Sequence, residues 1–261
     1  MNNLKEKLKK NLPTIGSWVT IGHPSIVEIM ATAGFEWLTI DLEHSAIDIS
    51  KAMELITVIQ ANDMAALVRV SKNEEVVIKR VLDAGADGVI VPMVRTVEDA
   101  QQAVDYVKYP PFGKRGVGLC RAQKYGIGFE EYKAWQKDGT IIIAQIEHID
   151  SVHNIDGIIN VPGIDGTIVG PFDLSASMGM PGEYDKPEVI AALRHVEERC
   201  KFFNKPLGFH VIDPDHKLIE EKLSQGYTFL AFSLDFFYLG NKPVNNGIIE
   251  TLIAKKMKGK S

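Results

Sequence analysis

Four times along the chain a glycine ends one kind of hydrophobic pattern and begins another. The segments are Ala33-Gly-Phe-Glu-Trp-Leu-Thr-Ile-Asp41, Ala84-Gly-Ala-Asp-Gly-Val-Ile-Val91, Pro162-Gly-Ile-Asp-Gly-Thr-Ile-Val169 and Gln225-Gly-Tyr-Thr-Phe-Leu-Ala-Phe232. Upstream, Ser25 to Thr32, Glu74 to Ala84 and Pro214 to Ser224 place apolar residues three and four apart, the spacing of a helix with one buried face. Downstream of each glycine the chain is short, apolar and β-branched, so the glycine reads as a helix C-cap that feeds a strand. Further apolar runs at Thr14 to Val19, Ala65 to Val70, Ile141 to Ile146 and Leu207 to Val211 bring the expected strands to eight. Their lack of polar alternation is that of a parallel sheet covered on both faces. Eight strands spread over 261 residues with helices between most of them predict an α/β fold, a single-domain (β/α)8 TIM barrel over 1–261, with a short N-terminal helix and a Lys-rich C-terminal tail. A doubly wound open sheet is the alternative, but no G-x-G-x-x-G follows the first strand. The longest irregular stretch, Tyr109 to Gly128, is a candidate lid or binding loop.

In such a barrel the chemistry collects at the C-terminal ends of the strands. Those ends read Asp41-Leu-Glu-His44, Arg69, Gln145-Ile-Glu147, Gly170-Pro-Phe-Asp173 and, on the seventh strand, His210. Glu147 and Asp173 are a pair of oxygen ligands for a hard divalent cation, which keeps positions open for water and substrate. A bidentate 2-keto acid suits such a site. Arg69 can share developing oxyanion charge, and His44 can move a proton, with Asp41 expected to fix its tautomer. No strand end carries a lysine, which disfavours imine chemistry. Glu43 receives no role. His210 reads as core-facing, with a third metal ligand as the alternative, and His23, His148, His153, His195 and His216 default to surface or loop positions. Asp83, at the end of a helix, opposes the helix dipole and calls for a compensating partner.

Composition narrows the partners. A net charge of −5 and an isoelectric point near 5.8 argue against a nucleic-acid or anionic-membrane surface. The lysine clusters at Lys5 to Lys10 and Lys255 to Lys260 are terminal and read as solvated ends. Two cysteines, Cys120 and Cys200, cannot form a disulfide framework and read as structural thiols of a reducing, cytoplasmic setting. No apolar run at the N-terminus or elsewhere approaches the length of a signal or a membrane span.

The motifs Ile40-Asp-Leu-Glu-His44, Leu67-Val-Arg69, Leu82-Asp-Ala-Gly85, Val91-Pro-Met93, Tyr109-Pro-Pro-Phe-Gly-Lys-Arg-Gly-Val-Gly118, Ala144-Gln-Ile-Glu147 and Ile168-Val-Gly-Pro-Phe-Asp-Leu-Ser-Ala-Ser-Met-Gly179 stand in an order that resembles the HpcH/HpaI aldolases. The resemblance runs from about Gly16 to Asp235. It implies a class II pyruvate aldolase that reversibly cleaves 4-hydroxy-2-keto acids to pyruvate, or a close 2-keto acid, and an aldehyde through an enolate held at the metal. It further implies Mg²⁺ or Mn²⁺, with Co²⁺ as a substitute, no organic cofactor, and a homohexamer with active sites at subunit interfaces. By motif, Glu147 and Asp173 would bind the metal and His44 with Asp41 would be the acid/base pair. Gln145 and the backbone at Phe172 would contact the keto acid, Arg69 would stabilise the enolate, and Asp83 would arrive from a neighbouring subunit. Three departures, Leu42, Phe172 and a shortened segment between Gly118 and Arg121, are expected around the pocket and leave the aldehyde open. Two other readings stand beside this one: a citrate-lyase-like acyl-CoA lyase, which would need more basic side chains than Lys114 and Arg115, and a non-catalytic keto-acid-binding barrel.

Overall fold

A computed structural model describes residues 3–245, so the Lys-rich tail lies outside the described residues. Eight parallel strands, β1 (Thr14–Val19), β2 (Trp37–Asp41), β3 (Ala65–Arg69), β4 (Gly88–Val91), β5 (Ile141–Ile146), β6 (Gly166–Val169), β7 (Leu207–Val211) and β8 (Phe229–Leu234), close in sequential order into a barrel. The helix α1 (Leu4–Lys9) precedes it. Around the outside run α2 (Pro24–Ala31), α3 (Ile49–Ala61), α4 (Glu75–Asp83), α5 (Val97–Val107), α6 (Phe129–Gly139), α7 (Ile149–His153), α8 (Ile155–Asn160), α9 (Pro171–Ser177), α10 (Pro187–Phe202), α11 (His216–Ser224) and α12 (Asp235–Asn245). The recurrent glycines do what the pattern predicts: Gly34, Gly85, Gly163 and Gly226 have φ of +80°, +102°, +110° and +92°, a turn that a side chain resists.

Two apolar layers share the strands. Residues facing outward, among them Leu38, Ile40, Val68 and Val89, pack under the helices, while Trp37, Leu67, Ile90, Ile143, Ile168 and Phe229 fill the barrel. Trp37 stacks on Phe229 with ring centroids 4.3 Å apart. The neighbouring strand must be bare to make room, since a Cβ on Gly16, the β1 register partner of Trp37, would lie 2.1 Å from the indole. Leu4 and Leu8 of α1 join this inner cluster and close the N-terminal end of the barrel.

Tyr109 to Gly128 follows α5 and precedes β5, and each helix runs back against its strand. The segment therefore lies at the N-terminal end of the barrel, away from the mouth, which corrects the expectation of a lid over its own site. It is anchored there by Arg115, a fully buried guanidinium whose Nη2 donates to Asp83 at 2.6 Å and whose Nη1 donates to the Tyr132 hydroxyl at 3.0 Å. Asp83, the last residue of α4, thus has its compensating partner within the chain. The helix-end misfit needs no second subunit to answer it.

Candidate active site

Asp41 and Arg69 are register partners across β2 and β3. Their side chains point into the barrel together and meet as a fork: Nε of Arg69 donates to Oδ1 at 2.9 Å and Nη2 to Oδ2 at 2.6 Å. Burial alone would raise the Asp41 carboxyl, but Arg69 and the amides of Glu43 and His44 outweigh it and hold the group below its usual range. The guanidinium lies 4.5 Å from the Trp18 ring centroid, and its Nη1 is 3.3 Å from Glu43. Bidentate pairing and stacking hold the Arg69 guanidinium in one orientation.

Glu147, Glu43 and Asp173 stand at the same end of the barrel, Glu43 beside Arg69. Glu147 follows β5 and is 3% exposed, and its Oε1 accepts from the Met93 amide at 2.7 Å. Burial, reinforced by the charges of Glu43 and Asp173, pushes its carboxyl up to about 7. Glu43 is raised by the same causes, burial first and then Asp41 and Asp173 against Arg69. Asp173 stands exposed in the first turn of α9. The chain crowds here: just after β6, a Cβ on Gly170 would lie 3.0 Å from Cβ and Oε2 of Glu147, a tight approach that a side chain would have to displace. Met93 holds φ at +53°, a strained backbone for a residue with a side chain, and the amide it presents meets Glu147.

The donor set fits a divalent cation. Acids held together against mutual repulsion gain when a dication neutralises them, and Glu43 Oε2 and Gln145 Oε1 are buried without a hydrogen-bond partner. Among the described residues no group of three or more His, Cys, Asp or Glu side chains is placed to hold a metal ion. Two carboxylates with open positions suit a site that also admits substrate.

The structure brings Glu147, Asp173, Arg69, Asp41 and Gln145 to one end of the barrel and leaves Asp83 at the other. His44 is 66% exposed at the mouth. Asp41 reaches it through the backbone amide, at 3.2 Å, and not through the ring, whose Nε2 lies 3.8 Å from Glu43. The expected Asp41–imidazole contact is therefore replaced by an Asp41–Arg69 fork with Glu43 beside the imidazole. The register of parallel strands decides this, because residues level with each other on β2 and β3 face the same way. Of the three expected pocket departures, only Phe172 stands at the mouth; Leu42 packs against the outer hydrophobic layer, and Gly118 to Arg121 lies at the far end. His23 and His148 cap α2 and α7 as loop residues. Sequence reasoning gave no role to Met93, Trp18 or Gly170. A strained backbone and a close approach leave no mark in composition, although Val91-Pro-Met93 was visible as a motif.

A parallel barrel with buried acids and a held arginine at its C-terminal mouth has the layout of a barrel enzyme's active site. The HpcH/HpaI aldolase/citrate lyase family pattern matches residues 14–241. A hydroxypyruvate/pyruvate aldolase of Roseobacter denitrificans is 34% identical over 242 residues, 92% of this chain and 94% of its own. A 2-keto-3-deoxy-L-rhamnonate aldolase of Escherichia coli K12 is 36% identical over 236 residues, 90% of this chain and 87% of its own. The crystal structure of an HpcH/HpaI aldolase/citrate lyase family protein from Burkholderia cenocepacia superposes with a TM-score of 0.86 at 29% identity, covering both chains completely. The chain belongs to the HpcH/HpaI aldolase/citrate lyase family and is a carbon–carbon lyase.

Proposed function

We propose that the protein is a class II aldolase that reversibly cleaves 4-hydroxy-2-keto acids into pyruvate, or a close 2-keto acid, and an aldehyde. The observation that carries this reading is the placement of Glu147 and Asp173 at the same end of the barrel as an arginine that Asp41 and Trp18 hold in one orientation. Glu147 and Asp173 would hold a divalent cation, Mg²⁺ or Mn²⁺ with Co²⁺ as a substitute, and a cation there would supply polarisation of the 2-ketone. Gln145 and the backbone at Phe172 hold the keto acid. His44, solvent-facing at the mouth, takes the 4-hydroxyl proton as the C3–C4 bond breaks and the aldehyde departs. Arg69 meets the negative charge that moves onto the keto oxygen, and return of a proton to C3 gives pyruvate. Glu43, beside both His44 and Arg69, keeps the imidazole close to that path.

Assembly belongs to the same proposal. Asp83 serves the site of another subunit in a homohexamer, and the N-terminal end of the barrel that carries it also exposes Leu119, Tyr125 and Ile127, apolar residues that a neighbour would cover.

Chelation followed by metal addition tests the chemistry. Activity on pyruvate and an aldehyde should vanish with chelator and return with Mg²⁺, Mn²⁺ or Co²⁺, and borohydride with pyruvate should trap no adduct. Lys108, whose ammonium burial lowers to about 8, is the natural suspect for an imine, but its Nζ donates to the Gln136 and Lys137 carbonyls at 2.9 Å, at the end of α6. A trapped adduct on any lysine would overturn the metal-dependent reading.

A further inference from the structure

On β7 the run Leu207-Gly-Phe-His-Val211 places one imidazole among apolar neighbours, and the opposite strand is deformed to meet it. Between β1 and β8 the register slips, Gly16 pairing with Ala231 but Trp18 with Leu234, so β8 carries one extra residue. Within this bulge Ser233 adopts φ of +50°, fully buried, with its hydroxyl tied to the Ile212 carbonyl at 2.7 Å. Its own carbonyl receives Nε2 of His210 at 3.1 Å and the Ser17 hydroxyl at 3.1 Å. A carbonyl can only accept, so Nε2 carries the proton and Nδ1 is left with a lone pair.

The imidazole is part of the site. Its ring lies 5.3 Å from that of Trp18, the same indole that carries the Arg69 guanidinium at 4.5 Å. Burial, with the Arg69 charge adding to it, pushes its affinity for a second proton down to about 4, so it stays a neutral acceptor. Nδ1 has no hydrogen-bond partner among the described residues. The β8 bulge that presents the Ser233 carbonyl fixes the ring through Nε2 and leaves Nδ1 as its one open acceptor.

We infer that His210 is a specificity residue that accepts, at Nδ1, a hydrogen bond from a substrate hydroxyl borne either by the donor carbon that forms the new bond or by the carbon beside the aldehyde carbonyl. This rests on the aldolase reading and adds to it a substrate class, hydroxylated rather than bare reactants. The hydroxyl has two sources, the hydroxymethyl carbon of a hydroxypyruvate-type donor or the α-hydroxyl of the acceptor aldehyde. A site built around a fixed acceptor discriminates against analogues that leave the acceptor unpaired.

The test pairs wild type with His210→Leu and His210→Asn, the second keeping a polar side chain whose oxygen can stand near the Nδ1 position. One arm compares hydroxypyruvate with pyruvate at a fixed aldehyde, and the other compares glycolaldehyde with acetaldehyde at fixed pyruvate. In one arm His210→Leu should lower the preference for the hydroxylated partner, as a ratio of kcat/KM values, by about tenfold, and His210→Asn should restore part of it. The arm that responds identifies the source. Because the readout is a ratio, loss of folded enzyme cancels, and a purely structural histidine would lower every pairing by one factor. Unchanged ratios in both arms overturn the inference. Exchange of pyruvate methyl protons by the wild type is measured beside it: if exchange is present, unchanged ratios fall on His210 alone, and if it is absent the aldolase reading itself fails.

Discussion

The two ends of the barrel handle buried charge in opposite ways. At the N-terminal end charges find partners: Arg115 lies between Asp83 and Tyr132, Lys108 sits on the last carbonyls of α6, and Lys5 donates to the Thr140 carbonyl and to Asp165 at 2.7 Å. At the C-terminal end the carboxyls of Glu147 and Glu43 are pushed up by burial and by neighbouring acids, and Gln145 Oε1 is buried without a hydrogen-bond partner. Unpaired polar atoms are not confined to the mouth, since Arg115 Nε and Gln123 Oε1 are buried without a hydrogen-bond partner at the far end; what sets the mouth apart is two neighbouring carboxyls, Glu147 and Glu43, pushed up together. Perturbed acids at a barrel mouth are thus a functional signature, since nothing in the fold needs them.

The sharpest break of this contrast is Glu147→Gln, which should lower kcat/KM for aldol cleavage by about 10³-fold or more, the loss of several kcal/mol of charge stabilisation. Stability should move the other way. The Glu147 carboxyl is raised from 4.5 to about 7 in the folded protein, so between these values the native state holds a proton that the unfolded chain releases. This contribution favours folding below about pH 4.5 and weakens as pH rises through 7. Urea unfolding of metal-free protein at pH 5 and pH 8 should show the wild type losing about 3 kcal/mol more than Glu147→Gln over that interval. Equal losses would mean that the mouth is not strained by this acid.

At the other end the sign reverses, because there the charges stabilise. Arg115→Met should destabilise by about 3 kcal/mol, since it strands Asp83 and leaves the Tyr132 hydroxyl without its donor. A change below about 0.5 kcal/mol in a denaturant titration would show that the pair is incidental.

The smallest expected effect joins the two ends. His44→Ala should reduce kcat by about 10²-fold, in the range of a lost proton-transfer group. Mixed with Asp83→Asn subunits, chosen because the amide still accepts from Arg115, it should recover activity in those sites where both residues are intact. Proven subunit exchange without recovery would remove Asp83 from any site but its own helix end.

The eight strands, their order and most strand ends were legible in the chain, because burial on both faces demands unbroken apolar runs and each helix needs a glycine to turn back. The place of Glu147, Asp173, Arg69 and His44 at the mouth was legible for the same reason: a parallel barrel sends every strand end to one face. Tertiary structure alone decided who touches whom there. Asp41 meets Arg69 rather than the His44 ring because β2 and β3 pair in register. Leu42 faces the helices because strand residues alternate, and Tyr109 to Gly128 lies at the far end because helices run against strands. Ser233 turns its carbonyl to His210 because the barrel closes with an extra residue on β8. Periodicity records which residues are buried; only closure of the sheet sets the distances between residues far apart in the chain.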